Sequence, residues 1–571
     1  MSTLFLKGGR VVNADRAFDA NVLCVDGKIA AVGPDVECPA GAEVLDCTGK
    51  TLFPGGIDTV RRMRTSPRLP PLHGRTPAHS PARPSPSPAT PLLTWPSTHR
   101  PHPCSPPPLL LAARAHSTRT CSSPSWARYV VATRVFPAQS CRADRRARPP
   151  PARPLRPLAT QVACDDYESG TKAALAGGTT TICDFVMPAP GESLIAAFDK
   201  WSAWGEKSCC DFAYHVAVTW FSDQVREEMG VLANERGVQS FKHFLAYKGA
   251  LMLDDEALVN SFTRCKELGC LPTVHAENGE LVMLGQKKML EEGVMGPEGH
   301  PQSRPPAVEG ESANRAARTA QILNTPVYLV HVSCKEALEV VRNARAEGRR
   351  VFGEALAGHL TINDSVYYNE DWYAAAAYVM SPPFRPDGHP QALWTGLQDG
   401  TLQTTATDHC CFNIEQKMMG KEDFTKIPNG CSGVEERMAI LYHHGVVTGK
   451  LTESEFANVT STEAAKIFNM YPQKGVIAVG SDADIAVFDT QAKWTMSAKT
   501  QFSRVGHNPW EGKEIQGVNV ATVHHGKVVY QNRTHNVEPG FGKYVPRATF
   551  GFAYDGMANR ELAPRAVKRT R

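Results

Sequence analysis

Lysine is missing from residues 61 to 160, and acid nearly so: Asp144 is the single carboxylate among 17 arginines and 22 of the chain's 43 prolines. That window carries +16. Because the whole chain of 571 residues carries only +4, the other 471 residues carry −12. A Pro-, Ser- and Arg-rich stretch with little apolar periodicity cannot bury enough surface to offset its ordering entropy, so residues 60–161 are expected to be a disordered insertion. Its arginines lie in runs such as Pro84-Ser85-Pro86-Ser87-Pro88, without helical spacing or interleaved aromatics. They therefore do not make a nucleic-acid or membrane footprint.

Other absences narrow the class. Nowhere do eighteen apolar residues run together, which argues against a membrane span. Met1 to Ala14 show no basic region followed by a long apolar one, so a cytoplasmic protein is expected. The 16 cysteines are irregularly spaced, which favours reduced thiols over a disulfide framework. No Gly-x-Gly-x-x-Gly element opens a helix, so a dinucleotide fold has little support.

What is there falls into two textures. Residues 1–53 read as short strands with turns, at Leu4 to Leu6, Val11-Val12, Val22 to Val25 and Ile29 to Val32. The same texture returns in 471–540, at Gly475 to Val479, Ala483 to Phe488 and Val520 to Val529, ahead of a tail at 541–571. Two all-β ends around a different middle predict one small β-sandwich domain built from both termini. Between them, over 162–470, apolar runs alternate with helical stretches. The runs are Thr179 to Val186, Phe212 to Phe221, Ser240 to Ala246, Leu271 to His275, Val327 to His331, Val351 to Ala355 and Thr404 to Asp408. The helical stretches include Thr171 to Ala176, Asp255 to Leu268, Ser312 to Leu323 and Lys335 to Glu347. With one more apolar run at Leu52 to Asp58, and the first barrel strand placed at 54–59, these units predict an α/β fold, a (β/α)8 TIM-type barrel.

Several runs contain or end in a residue able to bind metal: Lys242, His275, His331 and Asp408. In a parallel barrel the strand C-termini share one face, so these four would converge there. A lone histidine after an apolar run is more often a satisfied core or loop residue. Four such residues on four predicted strands are harder to dismiss.

Seven segments carry a specific resemblance: Gly55 to Asp58, Val162 to Tyr167, Ser240 to Lys248, Val274 to Asn278, Ser381 to Arg385, Thr407 to Cys410, and Asn429 to Arg437. In these the chain resembles the dihydropyrimidinase/D-hydantoinase family of the cyclic amidohydrolase superfamily, over nearly everything but the basic window. The resemblance implies a binuclear zinc hydrolase of pyrimidine catabolism that opens 5,6-dihydrouracil or dihydrothymine to an N-carbamoyl β-amino acid. It implies Lys242 as an N6-carboxylated lysine bridging two Zn2+ ions, with His275 and His331 on one ion and Asp408 on the other. Nitrogen and oxygen ligands suit zinc, and two cations about 3.5–4 Å apart make water a nucleophile near neutral pH. Asp408 would move the proton to the departing nitrogen, and Tyr247 would donate to the developing oxyanion. Ser381 and Asn429 would hold the substrate's amide edge. The alternative for Tyr247 is an ordinary half-buried strand-end tyrosine, and for Ser381, before Pro382-Pro383, a turn residue. A homotetramer acting on a small cyclic amide, with no nucleic-acid or membrane partner, also follows from the resemblance.

One part of the family pattern is missing. The family places a His-x-His pair after the first barrel strand, but here Gly55 to Thr59 continues as Val60-Arg61-Arg62. The histidines at 73, 79, 99, 102 and 116 have no such spacing. Permitted codons for Ser117 to Arg128, read from the third base of the first codon, give His-Thr-His-Leu-Gln-Leu-Pro-Phe-Met-Gly-Thr. That string continues Asp58-Thr59 in the family manner and leads directly to Val162. Splice signals also fit the permitted codons at Val60, Ser117, Arg128 to Val130, and Gln161. Residues 60–161 therefore read as two retained introns around a frame-shifted exon, and the chain as written is expected to be impaired in metal binding. Two alternatives stand beside the enzyme reading. One is a non-catalytic dihydropyrimidinase-related scaffold, the other a different cyclic-amide hydrolase such as a hydantoinase or allantoinase.

Overall fold

The computed structural model describes residues 2–61 and 162–557. The insertion expected at 60–161 lies, except for its first two positions, outside the described residues, as do its five histidines.

The chain opens with β1 (Thr3–Val12), β2 (Ala17–Val25), β3 (Lys28–Gly33), β4 (Glu43–Asp46) and β5 (Thr51–Pro54). One residue after β5, at Gly56, it enters a second sheet. This sheet is built from β6 (Gly56–Arg61), β7 (Thr179–Val186), β8 (Asp211–Ala217), β9 (Ser240–Phe244), β10 (Leu271–His275), β11 (Val327–Leu329), β12 (Val351–Leu356) and β13 (Thr404–Ala406). These eight strands are parallel and lie in sequence order. Helices such as Asp255–Leu268, Pro306–Leu323 and Lys335–Ala346 return the chain between them. Strands covered on both sides need no alternation, and every residue of β7 is buried. The helix Asp255–Leu268 shows the local logic. Asp254 caps it by accepting from Ala257 N at 2.8 Å, Leu258, Phe262 and Cys265 bury one stripe, and Gly269 ends it at φ 68°.

Side chains close what the ladder leaves open between β13 and β6. Arg437, fully buried, donates from Nη1 to the carbonyls of Ile57 at 3.0 Å, Thr405 at 2.8 Å and Thr460 at 3.3 Å. Asp58 accepts from Thr407 N at 3.1 Å and from the Thr407 hydroxyl. Arg437→Met strands three buried carbonyls, and is expected to cost about 3 kcal/mol or more, seen as a lower urea midpoint.

The last strands, β14 (Ile485–Thr495), β15 (Glu514–His524), β16 (Lys527–Gln531) and β17 (Thr534–His535), rejoin the first sheet. Its order is β17-β16-β15-β14-β5-β1-β2-β3, with β4 beside β1, so both chain ends build one nine-stranded body. Two expectations need correction. The run Leu52 to Asp58 is not one strand: Thr51–Pro54 pair antiparallel with Ile485 to Phe488 of β14, and the barrel starts at Gly56. Gly475 to Val479 is not a strand either, because the Asn13 side chain takes both backbone groups of Ile477, at 2.9 and 3.0 Å, and satisfies them without a ladder.

Sheet and barrel meet across a buried ionic cluster. Lys474 Nζ lies 2.7 Å from Asp211, 2.7 Å from Asp484 and 3.1 Å from Asp482. His524 Nδ1 bonds Asp484 at 2.8 Å, and His525 Nε2 bonds Asp211 at 2.8 Å. Asp211 opens β8, Lys474, Asp482 and Asp484 precede β14, His524 ends β15 and His525 follows it. No helix among the described residues is long and apolar enough to cross a membrane.

Candidate active site

Parallel pairing sends the carboxyl ends of β6 to β13 to one face of the barrel, where His275, His331 and Asp408 lie at or just past the ends of their strands. Lys242 is the middle residue of β9, 1% exposed, with Nζ 4.9 Å from the Phe185 ring centre and 5.3 Å from that of Phe244. His275 ends β10, while His331 lies two residues beyond β11 and Asp408 two beyond β13. The apolar runs that reached His331 and Asp408 therefore overestimate the strands. The extra residues turn: His331 has φ 42°, Asp408 φ 47° and Tyr247 φ 63°. Non-glycine residues rarely hold left-handed backbone, and such strain gathers at sites that need a side chain aimed in one direction.

Two of the four expected ligands touch. His275 Nδ1 and His331 Nε2 are 2.9 Å apart, their ring centres 4.6 Å apart, and both residues are buried. Tyr247 flanks them, its ring 5.2 Å from that of His275. Burial pushes His331 well below the ordinary histidine range, and His275 and Lys242 push the same way, which favours the neutral imidazole. Asp408, half-buried, does not join the imidazoles in a tight cluster. The groups of three acid, imidazole or thiol ligand atoms within 4.8 Å of one another, among the described residues, lie elsewhere. Asn429 is half-buried in the loop that Gly430 N ties to Val379 O at 2.9 Å. Ser381 is buried, and its hydroxyl accepts from Arg304 Nη1 at 2.7 Å.

Several supporting side chains were not singled out from sequence. His275 Nε2 bonds Glu277 at 2.8 Å, and Glu277 pairs with Arg304 at 3.2 Å. Burial alone would push the Glu277 carboxyl up, but Arg304 and His275 hold it well below the usual carboxylate range. Arg385 extends this network, donating to Arg304 O at 2.6 Å, Ser333 Oγ at 3.0 Å and Glu309 at 2.9 Å. Glu354 of β12 accepts from His331 N at 3.1 Å and from Tyr328 at 2.7 Å, and burial pushes it up to about 7. Its signal was a lone carboxyl inside an apolar run.

The tight ligand-like groups are not open sites. In the first, Asp165 receives His409 Nε2 at 3.0 Å and Cys411 Sγ at 3.2 Å. His409 Nδ1 accepts from Gly433 N at 3.2 Å, so the proton sits on Nε2 and the ring is a hydrogen-bonded anchor for the residue after Asp408. Around Asp211 the cation position is held by Lys474. A wide cavity of about 1010 Å³, bordered by Phe198, Arg236, Gly237 and Tyr544, opens near the start of β9, at the opposite end of the strands from the imidazole pair.

An eight-stranded parallel barrel with imidazoles, a lysine and a carboxylate at its carboxyl face, carrying a sheet made from both termini, is the architecture of a hydrolase that works on cyclic amides. Residues 152–529 match the amidohydrolase family, a metal-dependent family, and the chain belongs to it. Within that family it is 41% identical to the dihydropyrimidinase of Rattus norvegicus, over 99% of this chain and 93% of the relative. The crystal structure of dihydropyrimidinase from Brevibacillus agri superposes with a TM-score of 0.79 at 34% identity, covering 96% of this chain and 99% of that one. A D-hydantoinase structure gives a TM-score of 0.79 at 33% identity, covering 96% and 100%.

Proposed function

We propose that the chain is a dihydropyrimidinase, a metal-dependent hydrolase that opens 5,6-dihydrouracil or dihydrothymine to N-carbamoyl β-amino acids. The observation that carries this reading is the imidazole pair. His275 donates a hydrogen bond from Nε2–H to Glu277, which leaves the Nδ1 lone pair facing His331 Nε2 at 2.9 Å, a donor set that fits a divalent cation. We read Lys242, buried beside Phe185 and Phe244, as the N6-carboxylated lysine, whose carbamate oxygens would be held by the metal.

We read the complement as two Zn2+ per subunit, held by Lys242, His275, His331 and Asp408, with the His-x-His half absent from the chain as written. Bound metal supplies an activated water and polarises the ring carbonyl. The chain's own groups do the rest. Asp408 takes the proton of the attacking water and returns it to the departing ring nitrogen. Tyr247 donates its hydroxyl to the oxygen on which charge develops. Ser381 and Asn429 hold the amide edge of the ring. A cytoplasmic homotetramer without nucleic-acid or membrane partners completes the reading.

The test is a panel of dihydrouracil, dihydrothymine, hydantoin and allantoin, offered to zinc-loaded and chelator-treated protein carrying a restored His-Thr-His segment. Ring opening of the dihydropyrimidines that chelator abolishes is the expected outcome. Preference for hydantoin or allantoin would move the protein to a sister activity, and no hydrolysis of any ring would favour the scaffold alternative.

A further inference from the structure

We propose that Glu277 and Arg304 are positioning residues. Glu277 holds His275 with its proton on Nε2, and Arg304 ties that carboxylate to Ser381, so the metal-facing imidazole and the substrate-holding loop are set as one unit. This rests on the metal-hydrolase reading above. Glu277 is fully buried and Arg304 is 3% exposed. A buried ion pair rarely adds stability over apolar packing, so its place asks for another role. Its contacts supply one. Glu277 Oε2 sits 2.8 Å from His275 Nε2 and 3.2 Å from Arg304 Nη1, and the same Nη1 reaches Ser381 Oγ at 2.7 Å. With the Nε2 proton fixed by a carboxylate, Nδ1 has no tautomer open to it except the lone pair, and it points at His331. Arg304 in turn is oriented from behind, because its carbonyl accepts from Arg385, which also grips Ser333 two residues after His331. One guanidinium therefore reports the state of the imidazole pair to the loop that begins at Ser381.

The experiment uses the full chain, made metal-free and titrated with Co2+ alone, with the visible absorption of the bound ion as readout. Glu277→Gln is expected to weaken Co2+ binding on the order of 10–100-fold. Glu277→Asp keeps Arg304 partnered while drawing the carboxylate back from the ring; it provides a folded comparison and should also bind Co2+ more weakly. Nitrogen-15 spectra of the metal-free, histidine-labelled protein should show His275 as the Nε2–H form, with that form lost in Glu277→Gln. In the chain with the restored His-Thr-His segment, Arg304→Lys, which offers one point donor for two acceptors, should raise KM more than it lowers kcat. Unchanged Co2+ affinity together with an unchanged tautomer in the Glu277 variants overturns the proposal. If the protein takes up no Co2+ even with the His-Thr-His segment restored, the metal reading fails, and the tautomer result still decides the role of Glu277.

Discussion

Replacing residues 60–161 with His-Thr-His-Leu-Gln-Leu-Pro-Phe-Met-Gly-Thr should raise the rate of dihydrouracil hydrolysis by at least about 1000-fold, with a matching gain in bound zinc. Metal activation of water is worth several kcal/mol of barrier, and each 1.36 kcal/mol is a factor of ten, so about 4 kcal/mol gives that ratio. As written, the chain leaves β6 through Val60-Arg61-Arg62 and supplies no imidazole there. His275 and His331, read as the other half of the centre, meet edge to face at the carboxyl ends of β10 and β11. Zinc content per subunit and turnover should rise together. A chain with normal turnover and two zincs before replacement would show that the insertion is tolerated. Sequencing the mature transcript gives an independent check: it should lack the flanking stretches and read the His-Thr-His frame.

Lys474→Met should cost about 5 kcal/mol of stability, the second large effect. The substitution removes the one cation shared by Asp211, Asp482 and Asp484, all nearly fully buried. Stripping one partner from a buried pair typically costs 3–5 kcal/mol, and here three carboxylates lose it. The same cluster sets a pH dependence. Burial opposes charge on His524, but Asp484 and Asp211 overcome it and push this imidazole up to about 9. A raised folded-state value means that its stabilisation is fully present below pH 6.5 and is lost as pH rises through about 9. The shift corresponds to roughly 3 kcal/mol. Asp484 is held low by Lys474 and His524 against its burial, so its share is present above pH 3.8 and is lost only in strong acid. Urea titrations of His524→Asn should therefore differ most from wild type near pH 6 and converge above pH 9. A constant difference across that range would remove the linkage.

Sequence revealed the barrel through its texture. Parallel strands buried on both faces read as unbroken apolar runs, and β7 spans the same residues, Thr179–Val186, that hydropathy marks out. Capped helices were similarly clear, as in Asp255–Leu268. The division at Gly55 was not, since Leu52 to Asp58 is uniformly apolar until its end and only pairing with the distant β14 separates sheet from barrel. Lys242, His275, His331 and Asp408 stood out as candidates only as a set: each alone reads more often as a core or loop residue, whereas four metal-capable side chains within or closing apolar runs are harder to dismiss. Glu277, Arg304 and Glu354 did not stand out. A charged residue reads as solvated until topology buries it, and the bond between Arg304 and Ser381 joins segments that no spacing rule connects.

The passage from β5 to β6 through a single glycine bears on how the chain is made. β5 cannot complete its pairing until β14 exists, and β14 begins at Ile485, after the whole barrel. During synthesis from the N-terminus, β5 waits with an unpaired edge while every barrel strand emerges behind it. The sheet is thus the part of highest contact order and the last to lock. The first barrel strand, starting at Gly56, can pair with β7 early, while β5 just before it stays without its β14 partner until the chain is nearly finished. A nascent chain arrested before Ile485 would hold most of its barrel, yet keep a sticky edge that a chaperone, or a second nascent chain, could bind.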